Sequence, residues 1–163
     1  MRLSRRELLA AALLPALPPD PFALTLERRS DGGWEPATVS PDARWLALYH
    51  GAGWCGPCRA FVPRLVAAWP RLRAADVELV YVGDDASAAA QREYMVRARM
   101  PWPAVRWDAP ARRRLRAEAG AALPGMLVLD RTGEVVLTSW RAGRSFPADA
   151  LARLLRSAEA DRG

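Results

Sequence analysis

Cys55 and Cys58, the only cysteines in the chain, stand three residues apart in Trp54-Cys55-Gly56-Pro57-Cys58. Two thiols at this spacing form a dithiol that closes to a disulfide and reopens by thiol–disulfide exchange. A short apolar run over residues 45–49 precedes the motif, and a stretch with helical patterning over residues 59–73 follows it. The pair therefore falls where a strand hands over to a helix. The unpaired N–H groups and positive dipole end of a helix start favour negative charge, which draws Cys55 towards the thiolate near neutral pH. Between the two thiols, Gly56 leaves the turn open to approach. Pro57 stiffens it at a position where proline's missing N–H costs nothing.

Other uses of two cysteines fit less well. A structural zinc site takes four ligands, and this chain offers two cysteines and one histidine, His50. A haem-attachment motif requires histidine directly after the second cysteine, where Arg59 stands. No metal and no cofactor is expected. With no further cysteines, the fold must be held by its core, for which 163 residues with 51% hydrophobic content suffice. The net charge of +6 comes from arginines scattered along the chain, with no lysine. The densest group, Arg112-Arg113-Arg114 with Arg116, reads as the solvated face of a helix, so nucleic acid is not an expected partner.

The first 20 residues have a different character. Arg2, Arg5 and Arg6 precede an apolar run over residues 8–17, the layout of an export signal and too short to cross a bilayer comfortably. Ser4-Arg5-Arg6 with Leu8 and Leu9 resembles the twin-arginine signal of bacteria. Residues 1–20 are therefore expected to be an export signal or a short anchor, and residues 21–163 a single domain. The expected location is the bacterial periplasm, with membrane contact only through an uncleaved N-terminal segment. Without export, the location would be cytoplasmic.

The elements that must position the dithiol follow from patterning. Residues 22–26 alternate as an edge strand, broken by Ser30-Asp31-Gly32-Gly33. Residues 44–50 are apolar and short, as in a strand buried on both faces. The helix after the motif contains Pro63, which should kink it. Residues 77–82 read as a second core strand and residues 87–99 as a helix capped by Ser87. Pro101 and Pro103 exclude helix around Trp102. A short helix over residues 111–119 follows. Residues 126–129 and 134–138 then form a hairpin around Asp130-Arg131-Thr132-Gly133, and residues 147–158 an amphipathic helix. Strands alternating with helices and closing on a hairpin give an α/β fold, a mixed sheet with helices on both faces.

These residues carry a resemblance. Trp-Cys-Gly-Pro-Cys after an apolar strand, Pro63 five residues beyond Cys58, and Leu123-Pro124 before a core strand together resemble the thioredoxin superfamily. The likeness covers residues 22–158. Within it, residues 47–55 and Met100-Pro101-Trp102 are similar to the nucleoredoxin and tryparedoxin branch. The resemblance implies a three-layer thioredoxin-like fold, with Cys55 the attacking thiol and Cys58 the resolving one. It places Pro124 at the family's cis-proline, in a loop that packs on the disulfide and offers backbone groups to an extended substrate. Trp54, Gly56, Pro57, Leu123 and Pro124 are the substrate contacts it implies. The Gly-Pro pair is similar to that of reducing members.

The chain departs from many thioredoxins six residues before Cys55, where Tyr49 replaces a buried aspartate. Water or Glu78 is then left to handle the Cys58 proton. His50 reads as a packed structural residue. The expected function is a thiol–disulfide oxidoreductase acting on disulfide-bearing proteins and re-reduced by an electron-donor thiol protein. The alternatives are a binding or redox-latch module without turnover, and a reductant dedicated to cytochrome c maturation.

Overall fold

The computed structural model describes residues 20–120 and 122–160. The expected export signal over residues 1–20 thus lies outside the described residues, apart from Asp20. The strands are β1 (Leu26–Ser30), β2 (Gly33–Ala37), β3 (Trp45–Gly51), β4 (Val77–Gly83), β5 (Ala104–Val105), β6 (Gly125–Leu129), β7 (Val135–Thr138), β8 (Trp140–Arg141) and β9 (Arg144–Ser145). The helices are α1 (Gly56–Ala74), α2 (Ala88–Arg97), α3 (Pro110–Glu118) and α4 (Pro147–Ala160). Seven strands form one sheet in the order β2-β1-β5-β4-β3-β6-β7, and β8 pairs with β9 apart from it. The β3–β4 and β4–β5 pairs are parallel; the others in the sheet are antiparallel. The expected mixed sheet is what forms.

Alternation along the central strands divides the core. Ala47, Tyr49, Leu79, Tyr81, Met126 and Val128 face α1, α2 and α4, which supply Phe61, Leu65, Tyr94 and Leu154. Leu46, Leu48, Val80, Val82 and Leu127 face the other way, towards Leu115 of α3 and Phe22. Strands β3 and β4, covered on both sides, need the near-continuous apolar runs that made them legible. α1 continues as one helix through Pro63 and Pro70.

Three expectations about elements are corrected. The strand expected at the sheet's edge begins at Leu26 rather than Phe22. It is not an edge, for β1 lies between β5 and β2 and forms a hairpin with β2 around the anticipated turn. Pairing of Leu26 with Val105 sets that register, and Glu27 gains a partner in Arg92. Such long-range contacts leave no local trace. Pro36 in β2 is tolerated because β2 is the sheet's outer edge. The two-residue β5 was not anticipated after Met100-Pro101-Trp102-Pro103, nor was the β8–β9 hairpin. Arg112 is not on a solvated face. It is buried, donates to the Gly83 carbonyl at 2.9 Å and stacks 4.7 Å from the Trp107 ring.

Candidate active site

Parallel β3 and β4 end together at Gly51 and Gly83, and the dithiol loop leaves from that end. Cys55 is the N-cap of α1, and its sulfur accepts the Cys58 amide at 3.2 Å. A sulfur thus stands where a helix start needs an acceptor, which favours charge on Cys55. The two sulfurs are bonded, with Cα atoms 5.2 Å apart. Cys55 keeps 6% of its surface exposed and Cys58 none, so a partner reaches only Cys55. Trp54 beside it is 64% exposed.

The loop is tied down at several points. The Gly53 amide donates to Asp85 Oδ1 at 2.8 Å, and its carbonyl accepts from Arg59 Nη1 at 2.9 Å. The Asp84 amide donates to the Gly51 carbonyl at 2.8 Å, and Trp54 Nε1 donates to the Asp84 carbonyl at 3.0 Å. The other oxygen of Asp85 accepts from the Tyr81 hydroxyl at 2.7 Å. Arg59 therefore reaches back over the loop while staying exposed. It places a cation beside the cysteine turn.

Of the sequence-predicted substrate contacts, Trp54, Gly56, Pro57 and Leu123 line one cleft of about 590 Å³ with Cys55. Leu123 also packs on Ala52, Cys55 and Cys58. Pro124 follows it through a cis peptide bond and is not among the cleft-lining residues. Residues that sequence reasoning gave no role complete the walls. His50 and Val82 line the cleft beside Asp84 and Arg116, which form an ion pair. His50 is buried, its Nε2 has no hydrogen-bond partner, and it meets Trp140 edge-on at 5.3 Å between ring centroids. Burial pushes its pKa down to about 4, so the imidazole is neutral near pH 7.

Tyr49 lies fully buried, stacked on Tyr81 at 5.5 Å, and burial holds its phenol neutral well above the ordinary tyrosine range. Glu78, the suggested proton acceptor, is misplaced for that role. It pairs with Leu46, five residues before Gly51, roughly 16 Å down the strand from the dithiol end at ~3.3 Å per residue. The buried carboxylate near the dithiol is Asp85. In sequence Asp85 was hidden, because Gly83-Asp84-Asp85 reads equally well as a strand-ending turn.

A family model described as thioredoxin-like matches residues 43–135, more than half of the chain. Nucleoredoxin of Xenopus laevis is 31% identical over 131 residues, covering 76% of this chain and 31% of the relative. Nucleoredoxin of Mus musculus is 34% identical over 100 residues, covering 59% of this chain and 22% of the relative. The chain thus spans less than a third of these curated relatives. Among solved structures, thioredoxin from Wuchereria bancrofti superposes with a TM-score of 0.65 at 25% identity, over 85% of this chain and 99% of that one. Tryparedoxin I from Crithidia fasciculata gives 0.62 at 26% identity, over 86% and 90%.

Proposed function

This chain belongs to the thioredoxin-like family, whose oxidoreductases include the nucleoredoxins and tryparedoxins, and from that premise we propose that it reduces protein disulfides through Cys55 and Cys58. The observation that carries the reading is the asymmetry of the pair. Cys55 caps a helix and opens on a cleft, while Cys58 is sealed beneath it.

In the proposed cycle, the Cys55 thiolate attacks one sulfur of a substrate disulfide. A Cys55–substrate bond forms, the substrate's own S–S bond breaks, and the departing thiolate takes a proton from water. Cys58 then loses its proton and attacks the Cys55 sulfur. The mixed disulfide breaks, the Cys55–Cys58 bond forms, and the second substrate thiol departs. Two electrons pass from the dithiol to the substrate. An electron-donor thiol protein returns them. Leu123 packs on the reacting sulfur, the exposed Trp54 lines the same cleft to meet the substrate, and the peptide at Leu123-Pro124 meets the substrate chain. The Gly56-Pro57 pair supports the reducing direction, by its likeness to reducing relatives.

The basic start and apolar run of residues 1–20 support export to a periplasm. A reporter fused behind this segment and found wholly in the cytoplasm would overturn that part.

Insulin reduction with dithiothreitol as electron source tests the main reading. Cys55→Ser should abolish turnover, and Cys58→Ser should accumulate mixed disulfide. Full activity in Cys55→Ser would refute the mechanism. Unaltered partner binding with no turnover in the wild type would point instead to a redox latch.

A further inference from the structure

We propose that Trp140 and Ser145, from the β8–β9 hairpin, are positioning residues that hold the Leu123-Pro124 peptide in place for an extended substrate chain. The inference rests on the reductase reading above, and it adds the residues that set affinity for protein disulfides as against small ones.

Two donors from this one hairpin converge on the segment that faces the dithiol. Trp140 Nε1 donates to the Ala122 carbonyl at 2.7 Å, and the Ser145 hydroxyl donates to the Pro124 carbonyl at 2.6 Å. The two acceptors flank Leu123. Among the described residues, neither the Leu123 amide nor its carbonyl has a hydrogen-bond partner, while its side chain packs on Cys55 and Cys58. One peptide edge is therefore left unclaimed beside the reactive sulfur, between two that are fixed. An extended chain gains affinity by main-chain bonds to such an edge, provided the edge is already in position.

The supports for the two donors are specific. The Trp140 indole lies against both Gly120 and Gly125, and a Cβ on either would overlap the ring. Glycine at both places permits this close approach. His50 of β3 meets the same ring edge-on and braces it from the sheet. Behind Ser145, its hydroxyl lies 2.9 Å from that of Ser139, which accepts the Met126 amide at 2.9 Å. Because the single proton of the Ser145 hydroxyl goes to Pro124, Ser139 is the donor between the two serines. Each proton in the chain has one destination, and such runs of bonds strengthen one another. Among the described residues the hairpin pairs only with itself, apart from the main sheet.

The test compares wild type, Trp140→Phe, Ser145→Ala and Ser145→Thr in turnover of insulin and of hydroxyethyl disulfide, a substrate with no peptide backbone. Trp140→Phe and Ser145→Ala should each raise the insulin KM about fivefold, the scale of one lost hydrogen bond, with kcat unchanged. Hydroxyethyl disulfide turnover should not move. Ser145→Thr, which keeps the hydroxyl, should return the insulin KM to the wild-type value. An insulin KM equal in all four proteins overturns the proposal, and so does a parallel loss with both substrates. The two variants remove different bonds, so if one fails to fold by circular dichroism the other decides. A wild-type protein that turns over neither substrate overturns the reductase reading itself, and this inference with it.

Discussion

Asp85 accepts the Gly53 amide proton at 2.8 Å, joining two loops that are 32 residues apart in sequence. The bond fixes the residue two places before Cys55 to the end of β4. The second carboxylate oxygen takes the Tyr81 hydroxyl, so both oxygens of a buried acid are satisfied. The dithiol loop is thereby held by the sheet it leaves.

Removing that acid should cost stability and rate together. Asp85→Ala leaves the part-buried Gly53 amide without its acceptor, at about 1–3 kcal/mol, while the Tyr81 hydroxyl still has the Gly51 carbonyl 3.0 Å away. Urea unfolding of the oxidised protein should show a loss of about 1–3 kcal/mol, and insulin reduction should slow. Asp85→Asn, which keeps an acceptor for Gly53, should lose less of both. An unchanged midpoint in Asp85→Ala would show that the loop is held by other contacts.

Arg59 makes a separate prediction, through charge. Its guanidinium bonds the Gly53 carbonyl beside the cysteine turn, where a cation favours thiolate over thiol. Alkylation of the reduced Arg59→Gln protein by iodoacetamide at neutral pH should be about threefold slower than wild type, a modest effect because an exposed charge is screened. The gap should narrow in high salt. Equal rates at low salt would mean that the helix start alone activates Cys55.

His50 ties stability to pH. Folding lowers its pKa from 6.5 to about 4, so between those values the unfolded chain binds more protons than the native one. Stability from this residue is fully present above pH 6.5, falls as pH drops, and is exhausted below about 4. The shift corresponds to about 3 kcal/mol at most. Urea unfolding of His50→Phe should therefore lose less stability than wild type between pH 7 and pH 4.5. Parallel pH profiles for the two proteins would place the low-pH destabilisation elsewhere.

Much of this could be read from the chain because the informative residues are close together. The dithiol motif announces its chemistry, and the apolar runs of β3 and β4 are what strands covered on both faces require. Leu123, Trp54, Gly56 and Pro57 were named in sequence and do share a cleft with Cys55. What stayed hidden depends on contacts between distant segments. β1 took its register from Val105, and Asp85 became a buried anchor only through Gly53 and Tyr81. The β8–β9 strands are two residues long, too short to show a period. Arg112 looked like one of several solvent-facing arginines until the Gly83 carbonyl and Trp107 gave it a buried berth. Glu78 lay in the right strand but at the wrong end of it.

Whether Cys55 and Cys58 give electrons to protein disulfides is read from the reduction potential of the pair, equilibrated against glutathione or dithiothreitol buffers. The reductase assignment requires a value near that of thioredoxin, about −270 mV. A value near about −120 mV, that of a strong thiol oxidant, would contradict it.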